Sequence, residues 1–331
     1  MELQEFSKGL NLMLTYRCNY RCAHCISECG PERTEVMTYA QAKAIIDQAA
    51  PTGQFPLIGY TGGEPFLYYD TMKALMAYTY RTYGIPGGVV TNCFWATTPE
   101  RAEAVLRELC DSGLATLTVS LDHYHLAYAK PEHIRNAVIA SVRAGVYTVV
   151  NTVVSREPES ISSRQARTLL QLPEDVACSD NLVSKELVPL LAGRAGDCPP
   201  ERHSLALYAE ACPSVGQTPA IDADGNLFAC CCFGNSSVNP TQRIAYVGNA
   251  NETPLPRLLE AMEHDLLLNL FGQLGPYAVL RLLQARDPAL PFSGDYTTNC
   301  DICRELYGIP EIRAALRALL LELKSAPTAP A

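Results

Sequence analysis

The sequence lacks three features that would point to common classes of partner. It has no excess of positive charge, because 26 Lys and Arg stand against 35 Asp and Glu, for a net charge of −9. It has no apolar run near the roughly 18 residues that a membrane-spanning helix needs. Its first residues also lack the basic start and apolar stretch of a signal peptide. We therefore expect a cytoplasmic protein whose partners include neither nucleic acid nor a membrane.

Cysteine, in contrast, is abundant, with 14 in 331 residues. In a secreted chain this number would suggest disulfides, but in the cytoplasm it favours metal or redox chemistry. The hydrophobic content of 48% is enough to build an ordinary core. The composition therefore indicates a globular protein with one large α/β domain and a smaller appendage.

The first half of the chain alternates short β-branched runs with longer apolar patterns of helical period. The predicted strands are 10–16, 56–61, 87–92, 115–120, 146–154 and 182–188. The predicted helices are 38–50, 66–82, 98–110 and 131–144, with Thr38, Thr98 and Pro99 as helix starts. Strand, helix and strand at this rhythm indicate parallel pairing with right-handed crossovers. The sequence therefore predicts an α/β barrel or part of one.

The pattern changes near residue 195, where Gly and Pro interrupt it. Residues 216–232 predict a β-hairpin, because Asp224-Gly225-Asn226 is a strong turn signal between two apolar runs. Helical patterns at 255–285, a loop at 288–299 and a last helix near 310–324 follow. The expected divisions are a barrel at 1–195, a second domain at 196–325 and a flexible tail at 326–331.

Three cysteines follow the first predicted strand: Cys18, Cys22 and Cys25, spaced C-x3-C-x2-C. Thiolates are the usual ligands of iron–sulfur clusters, and a short loop can wrap three of them around one cubane, which leaves one iron open. The spacing alone would also allow a zinc loop or incidental thiols.

A second motif, YTGGEPF at 60–66, follows the second predicted strand. Gly62 and Gly63 let the backbone approach a ligand closely, and Glu64 offers an acceptor for an ammonium group. Alone, this motif would be an ordinary turn. Together with the cysteine loop it resembles the radical S-adenosylmethionine (SAM) superfamily, whose members carry C-x3-C-x-aromatic-C after the first strand and a GGEP-type motif after the second. The resemblance covers about residues 8–190.

The resemblance implies a partial (β/α)6 barrel, a [4Fe–4S] cluster on the three cysteines, and SAM bound to the open iron through its amino and carboxylate groups. It places His24 beside the adenine of SAM, where many relatives have Tyr or Phe. It makes residues at later strand ends candidates for sulfonium, ribose or substrate contacts: Asn92, Ser120, Asp122, Asn151 and Val153. The polar ones could equally be helix caps or turn formers. The neighbouring DHYH run at 122–125 is expected to line the substrate cavity, or its histidines are solvated residues of a loop.

A second cysteine set lies in the C-terminal region. Cys212 and Cys230 bracket the predicted hairpin as C-x12-G-x4-C, and Cys300 and Cys303 form a C-x2-C loop further on. From the residues alone, these four thiolates could converge on an iron–sulfur cluster or on zinc.

This arrangement resembles the twitch module, a shortened form of the SPASM module, which implies one auxiliary [4Fe–4S] cluster. Cys231 and Cys232 directly follow Cys230. These two thiols could donate a hydrogen atom to a substrate radical, or they could pack as small apolar residues.

The resemblance implies reductive cleavage of SAM to a 5′-deoxyadenosyl radical, which abstracts a hydrogen atom from the substrate. The expected role is modification of a ribosomally synthesised peptide by a crosslink, a thioether or epimerisation. The alternatives are radical dehydrogenation of a small alcohol or aminocyclitol and, from another class, a non-catalytic iron–sulfur carrier. The expected partners are a precursor peptide or small molecule and a low-potential flavodoxin- or ferredoxin-type electron donor. Because the first predicted strand begins by about residue 10, we expect either a separate leader-peptide-binding protein as a further partner or binding of the peptide by the body of the enzyme itself.

Overall fold

The computed structural model describes residues 8–189, 193–197, 210–230, 245–294, 296 and 298–325. The strands are β1 Leu10–Met13, β2 Ile58–Thr61, β3 Gly87–Thr91, β4 Leu114–Ser120, β5 Tyr147–Val153, β6 Leu182–Leu187, β7 Ala220–Ile221, β8 Asn226–Phe228 and β9 Tyr246–Asn249. The helices are α1 Tyr39–Ala49, α2 Tyr69–Tyr83, α3 Pro99–Asp111, α4 His123–Leu126, α5 Pro131–Arg143, α6 Ser163–Leu170, α7 Glu174–Ala177, α8 Leu255–Glu263, α9 Leu266–Leu274, α10 Pro276–Arg286, α11 Asn299–Gly308 and α12 Pro310–Ser325.

The described strands form one sheet in the order β6-β5-β4-β3-β2-β1-β7-β8-β9. The first six strands are parallel neighbours. The six predicted strands are confirmed, and with their crossover helices they form a partial (β/α)6 barrel. The predicted hairpin is also confirmed, since β7 and β8 are antiparallel and Gly225 between them has a φ of +88°.

The hairpin extends the barrel sheet, because β7 pairs in parallel with β1. A buried side-chain contact also links the two parts of the sheet: the Tyr16 hydroxyl donates to Asp222 Oδ2 at 2.9 Å. Asp222 is fully buried in the hairpin turn. The C-terminal strands are therefore joined to the barrel by backbone and side-chain hydrogen bonds.

One face of the sheet packs against helices, and the other is open near its centre. The hydroxyl groups of Tyr60 in β2 and Thr79 in α2 are hydrogen-bonded, which fixes the helix-covered face. Neighbours in register share a face, so Gly59 and Gly88 project to the opposite side. Val90, on that side of the central strand β3, is 38% exposed. Neighbouring side chains fill the space over both glycines, since a Cβ atom would lie 2.3 Å from Asn11 Oδ1 at Gly59 and 2.5 Å from Thr116 Oγ1 at Gly88. The accessible part of this face is therefore at Val90.

Several predicted boundaries hold for local reasons. Thr38 forms a capping box with Gln41 at the start of α1, and the Thr98 side chain accepts from Arg101 N–H at the start of α3. The predicted strand 10–16 ends earlier, at Met13, because Thr15 and Tyr16 hydrogen-bond to the Glu35 carbonyl and leave the sheet.

In the C-terminal region the predicted helical stretches at 255–285 are confirmed, whereas the predicted loop at Cys300 and Cys303 is not. Residues 255–285 form three helices, interrupted at Asp265, which caps α9, and at Gly275, whose φ is +84°. Cys300 and Cys303 lie in helix α11, so the prediction of a C-x2-C loop was wrong. The Asp301 carboxylate accepts the Thr298 N–H at 2.9 Å, which caps this helix instead of leaving a loop.

Among the described residues, no single helix has the length and apolar character needed to cross a membrane. Helices α9 and α10 meet that test only as a pair, by length and composition alone, and they are bent by 108° relative to each other.

Candidate functional site

The loop that carries Cys18, Cys22 and Cys25 follows β1 and packs against the turn after β2. Gly63 N–H donates to the Thr15 carbonyl at 2.7 Å, and Glu64 N–H donates to the Arg17 carbonyl at 3.0 Å. These contacts hold the loop at the carboxyl ends of the parallel strands, where barrel chemistry is located.

The two glycines of the β2 turn are required by this close approach. A Cβ atom on Gly63 would lie 2.1 Å from the Arg17 carbonyl oxygen, and one on Gly62 would lie 2.5 Å from the Thr15 oxygen. Gly62 also has a φ of +142°, a conformation that side chains disfavour. Within the described chain, the backbone that these glycines approach is that of the cysteine loop; their contact with SAM stays a prediction.

Glu64 is fully buried, and its carboxylate ties the β2 turn to the end of β3. It accepts from Phe66 N–H at 3.1 Å, the Thr91 hydroxyl at 2.9 Å and Asn92 N–H at 2.8 Å. Burial raises the pKa of Glu64 to about 7. The predicted contact with the ammonium of SAM stays a prediction, since both oxygens already accept hydrogen bonds.

The surroundings of the Cys18 and Cys25 thiols fit iron–sulfur ligation. Tyr20 N–H donates to Cys18 Sγ, and Cys29 N–H donates to Cys25 Sγ, each at 3.4 Å. Backbone hydrogen bonds to sulfur are one of the means by which proteins tune such clusters. Burial raises the pKa of the Cys18 thiol to about 12. A hydrogen bond from the Cys29 side chain lowers the pKa of Cys25 to about 6.

Asn92 reaches the cysteine loop from the end of β3. Its Nδ2 donates to Asn19 Oδ1 at 2.9 Å and lies 3.9 Å from Cys18 Sγ. Ser120 and Asn151 are aligned in register at the ends of β4 and β5, so they share the open face of the sheet. Asn151 Oδ1 is buried and has no hydrogen-bond partner among the described residues. Val153 ends β5 on the same face.

Asp122 caps the short helix α4 and anchors an aromatic cluster beside the cysteine loop. Its carboxylate accepts from His125 N–H at 2.9 Å and lies 2.9 Å from His125 Nδ1 and 3.7 Å from His24 Nε2. Burial alone would raise the pKa of Asp122, but the adjacent His125 lowers it to about 2. Burial alone would lower the pKa of His125, but Asp122 raises it to about 10. Asp122 is thus already engaged within this cluster.

The ring of His24 packs against the DHYH segment. It stacks on Tyr124 with centroids 4.4 Å apart and meets His125 edge-on at 4.9 Å. Burial lowers the pKa of His24 to about 4. The ligand atoms of Cys22, His24 and His125 all lie within 4.8 Å of one another, a grouping that the sequence analysis missed. The only sequence signal for this grouping was the DHYH run. The contact of His24 with the adenine of SAM stays a prediction.

The four cysteines of the second set line one pocket, although they come from separate elements. Cys212 precedes the hairpin, Cys230 follows β8, and Cys300 and Cys303 lie in α11. The cavity of about 40 Å³ exceeds the roughly 10–15 Å³ that one water needs. Phe271 contributes to its wall.

This pocket fits a metal centre held by thiolates. Burial raises the pKa values of the Cys212 and Cys303 thiols. The predicted hydrogen donors Cys231 and Cys232 lie outside the described residues.

Comparisons with known proteins agree with this geometry. The model of the Radical SAM superfamily matches residues 12–154. The chain is 22% identical over 313 residues to "Putative peptide biosynthesis protein YydG" of Bacillus subtilis (strain 168), covering 92% of this chain and 94% of that protein. It is 32% identical over 131 residues to the Fe-coproporphyrin III synthase of Methanosarcina barkeri (strain Fusaro / DSM 804), covering 39% of this chain and 31% of the synthase.

A solved structure shares the fold. The structure described as native anSMEcpe with bound AdoMet superposes with a TM-score of 0.52 at 11% identity. The match covers 94% of this chain and 100% of that one.

Proposed function

Because this chain is a radical SAM enzyme, with the superfamily's domain at residues 12–154 and its [4Fe–4S] cluster and SAM as cofactors, we propose that it modifies a ribosomally synthesised peptide. The observation that carries the proposal is the similarity to a protein described as acting in peptide biosynthesis, which extends over 92% of this chain and 94% of the relative. The modification that we propose is a crosslink, a thioether or an epimerised residue.

Cys18, Cys22 and Cys25 would hold the catalytic cluster. When bound, the cluster and SAM supply a 5′-deoxyadenosyl radical that removes a hydrogen atom from the substrate. The chain's own residues hold the loop in place, through Gly63 and Glu64 on one side and Asn92 on the other. We propose that His24, Gly62, Gly63, Glu64, Asn92, Ser120, Asp122, Asn151 and Val153 surround bound SAM and substrate.

The open face of the sheet offers a place for an extended substrate. Thr118 and Val90 are aligned in register on this face, and Val90 is 38% exposed although β3 is a central strand. A peptide segment laid across these strand ends would bring a side chain close to the cysteine loop.

Cys212, Cys230, Cys300 and Cys303 would hold one auxiliary [4Fe–4S] cluster, which could accept an electron in an oxidative modification. Cys231 and Cys232 are proposed hydrogen donors on sequence grounds. A flavodoxin- or ferredoxin-type electron donor, a separate leader-binding protein and a cytoplasmic location stay predictions.

The test uses the reconstituted enzyme, SAM, a reductant and a candidate precursor peptide, with mass spectrometry of the peptide. A crosslink or thioether removes two hydrogens from the peptide, and epimerisation in D2O introduces one deuterium. The matched control is Cys22→Ala, which should leave the peptide unchanged. An unmodified peptide, together with SAM-dependent oxidation of a small alcohol or aminocyclitol, would contradict the proposal.

A further inference from the structure

A short segment after the barrel, Gly193–Asp197, lies against the cysteine loop. Arg194 donates three hydrogen bonds to three carbonyl oxygens of that loop: its N–H to Cys25 at 3.2 Å, its Nε to Cys22 at 3.0 Å and its Nη2 to Cys29 at 2.7 Å. One residue thus contacts the backbone of two expected cluster ligands and of the neighbouring Cys29.

The backbone around Arg194 is built for this contact. Gly193 has a φ of +55°, and a Cβ atom there would lie 2.3 Å from the Ile26 carbonyl oxygen and 2.8 Å from the Cys25 oxygen. Only glycine allows this approach without displacing the cysteine loop. The guanidinium group is planar and carries several donors in a fixed fork, so it can bridge carbonyl groups that point in different directions.

Arg194 also brings a permanent positive charge to the loop. Net charge close to an iron–sulfur cluster is one of the factors that set its reduction potential, and a cation stabilises the more negative, reduced state. Both effects act on the chain's own loop and require no substrate.

We propose that Arg194 is a positioning residue for the catalytic cluster, holding the carbonyl groups of the three-cysteine loop and supplying the positive charge beside it. This role goes beyond peptide modification and is independent of which substrate the enzyme uses. It also assigns a function to the segment Gly193–Asp197, which lies outside both the three-cysteine motif and the YTGGEPF motif.

The experiment compares the reconstituted wild-type enzyme with Arg194→Ala and Arg194→Lys. Two quantities are measured: the rate at which a chelator removes iron, and the midpoint potential of the electron paramagnetic resonance signal that SAM perturbs. That signal belongs to the catalytic cluster, so an auxiliary cluster does not interfere. We expect Arg194→Ala to lose iron about tenfold faster, because charged hydrogen bonds hold the loop, and to have a more negative potential.

The lysine variant separates the two roles. It keeps the charge but lacks the planar fork whose Nε and Nη2 reach the Cys22 and Cys29 carbonyl groups, so its potential should stay near the wild-type value while iron loss remains fast. Arg194→Gln removes the charge but keeps a side chain of similar size, so it replaces the alanine variant if that variant does not fold. The midpoint potential of its catalytic cluster should be more negative than in the wild type.

The matched control is Arg21→Ala. Arg21 lies in the same loop but pairs with Glu32 at the surface, where the two side chains are 59% and 49% exposed, and such pairs contribute little. It should match the wild type in both measurements. Wild-type iron loss and potential in Arg194→Ala or Arg194→Gln would overturn the proposal, as would equal changes in Arg21→Ala. None of these measurements uses a peptide, so failure here leaves the proposed function to its own test.

Discussion

The loop that carries Cys18, Cys22 and Cys25 follows a single strand, whereas the four cysteines of the C-terminal pocket come from the hairpin region and from helix α11. The first set is brought together by its short spacing, and neighbouring strands need only hold the loop still. The second set meets only after the hairpin, α9 and α11 have packed together. We therefore expect the Cys18–Cys22–Cys25 site to lose its cluster when the contacts that hold the loop are removed. We expect the C-terminal site to lose its cluster when the packing between the hairpin, α9 and α11 is weakened.

The largest effect is expected from Gly63→Ala. The new Cβ atom would lie 2.1 Å from the Arg17 carbonyl oxygen, a backbone atom that cannot move without displacing the cysteine loop. We expect SAM cleavage to fall to background and the catalytic cluster to be lost, while the C-terminal pocket keeps its iron. Iron content and 5′-deoxyadenosine release measure this.

Gly84→Ala is the matched control for the first prediction. Gly84 also has a positive φ, +70°, but its Cβ position meets no atom within 4 Å. Only the backbone strain of about 1–2 kcal/mol should appear, with SAM cleavage unchanged. Wild-type cleavage by Gly63→Ala would show that the β2 turn does not support the loop.

A smaller and more selective effect is expected from Cys303→Ala, which removes one thiol from the C-terminal pocket. The variant should lose about four irons per chain and still release deoxyadenosine with a chemical reductant. Metal analysis and product analysis separate the two sites. Cys178→Ala, at an exposed cysteine, should behave like the wild type. Abolished SAM cleavage in Cys303→Ala would contradict the independence of the two sites.

The smallest effect is expected from Tyr16→Phe, which removes the buried bond to Asp222 between barrel and hairpin. Asp222 keeps its hydrogen bonds from the hairpin turn, so we expect a loss of about 1–2 kcal/mol in the free energy of unfolding. Denaturant unfolding measures this loss.

The comparison variant is Tyr78→Phe, whose hydroxyl donates to the half-exposed Asp47 within the barrel. We expect it to cost less than about 1 kcal/mol. Only the Tyr16 variant should weaken iron retention in the C-terminal pocket. Equal effects of the two variants would argue against a specific link between the two regions.

Much of the barrel could be predicted from the sequence, because its strands and helices repeat with clear periodicity. The helix starts at Thr38 and Thr98 were found from capping residues alone. The end of β1 could not be found in this way, since Thr15 and Tyr16 continue the apolar strand pattern and leave the sheet only because of long-range bonds to Glu35.

The three-cysteine loop was predictable because its cysteines are close in sequence. The residues that hold this loop in place were not predicted as such. Glu64 was interpreted as an acceptor for a ligand, but in the structure it joins two strand ends. Arg194 lies far along the chain from the cysteines that it contacts, and no periodicity marks it. The helical setting of Cys300 and Cys303 did have a signal, the Thr298-x-x-Asp301 spacing, which the sequence analysis overlooked.

We propose that this chain holds two separate cysteine sites, one for the catalytic cluster and one for an auxiliary cluster. The most direct measurement reconstitutes the protein without oxygen and determines iron, sulfide, zinc and reductant-dependent deoxyadenosine release. It compares the wild type with the triple variant Cys18→Ala, Cys22→Ala, Cys25→Ala. We predict about eight irons in the wild type, and about four irons with no deoxyadenosine in the variant. Zinc in place of the remaining four irons, or deoxyadenosine release by the variant, would contradict the account.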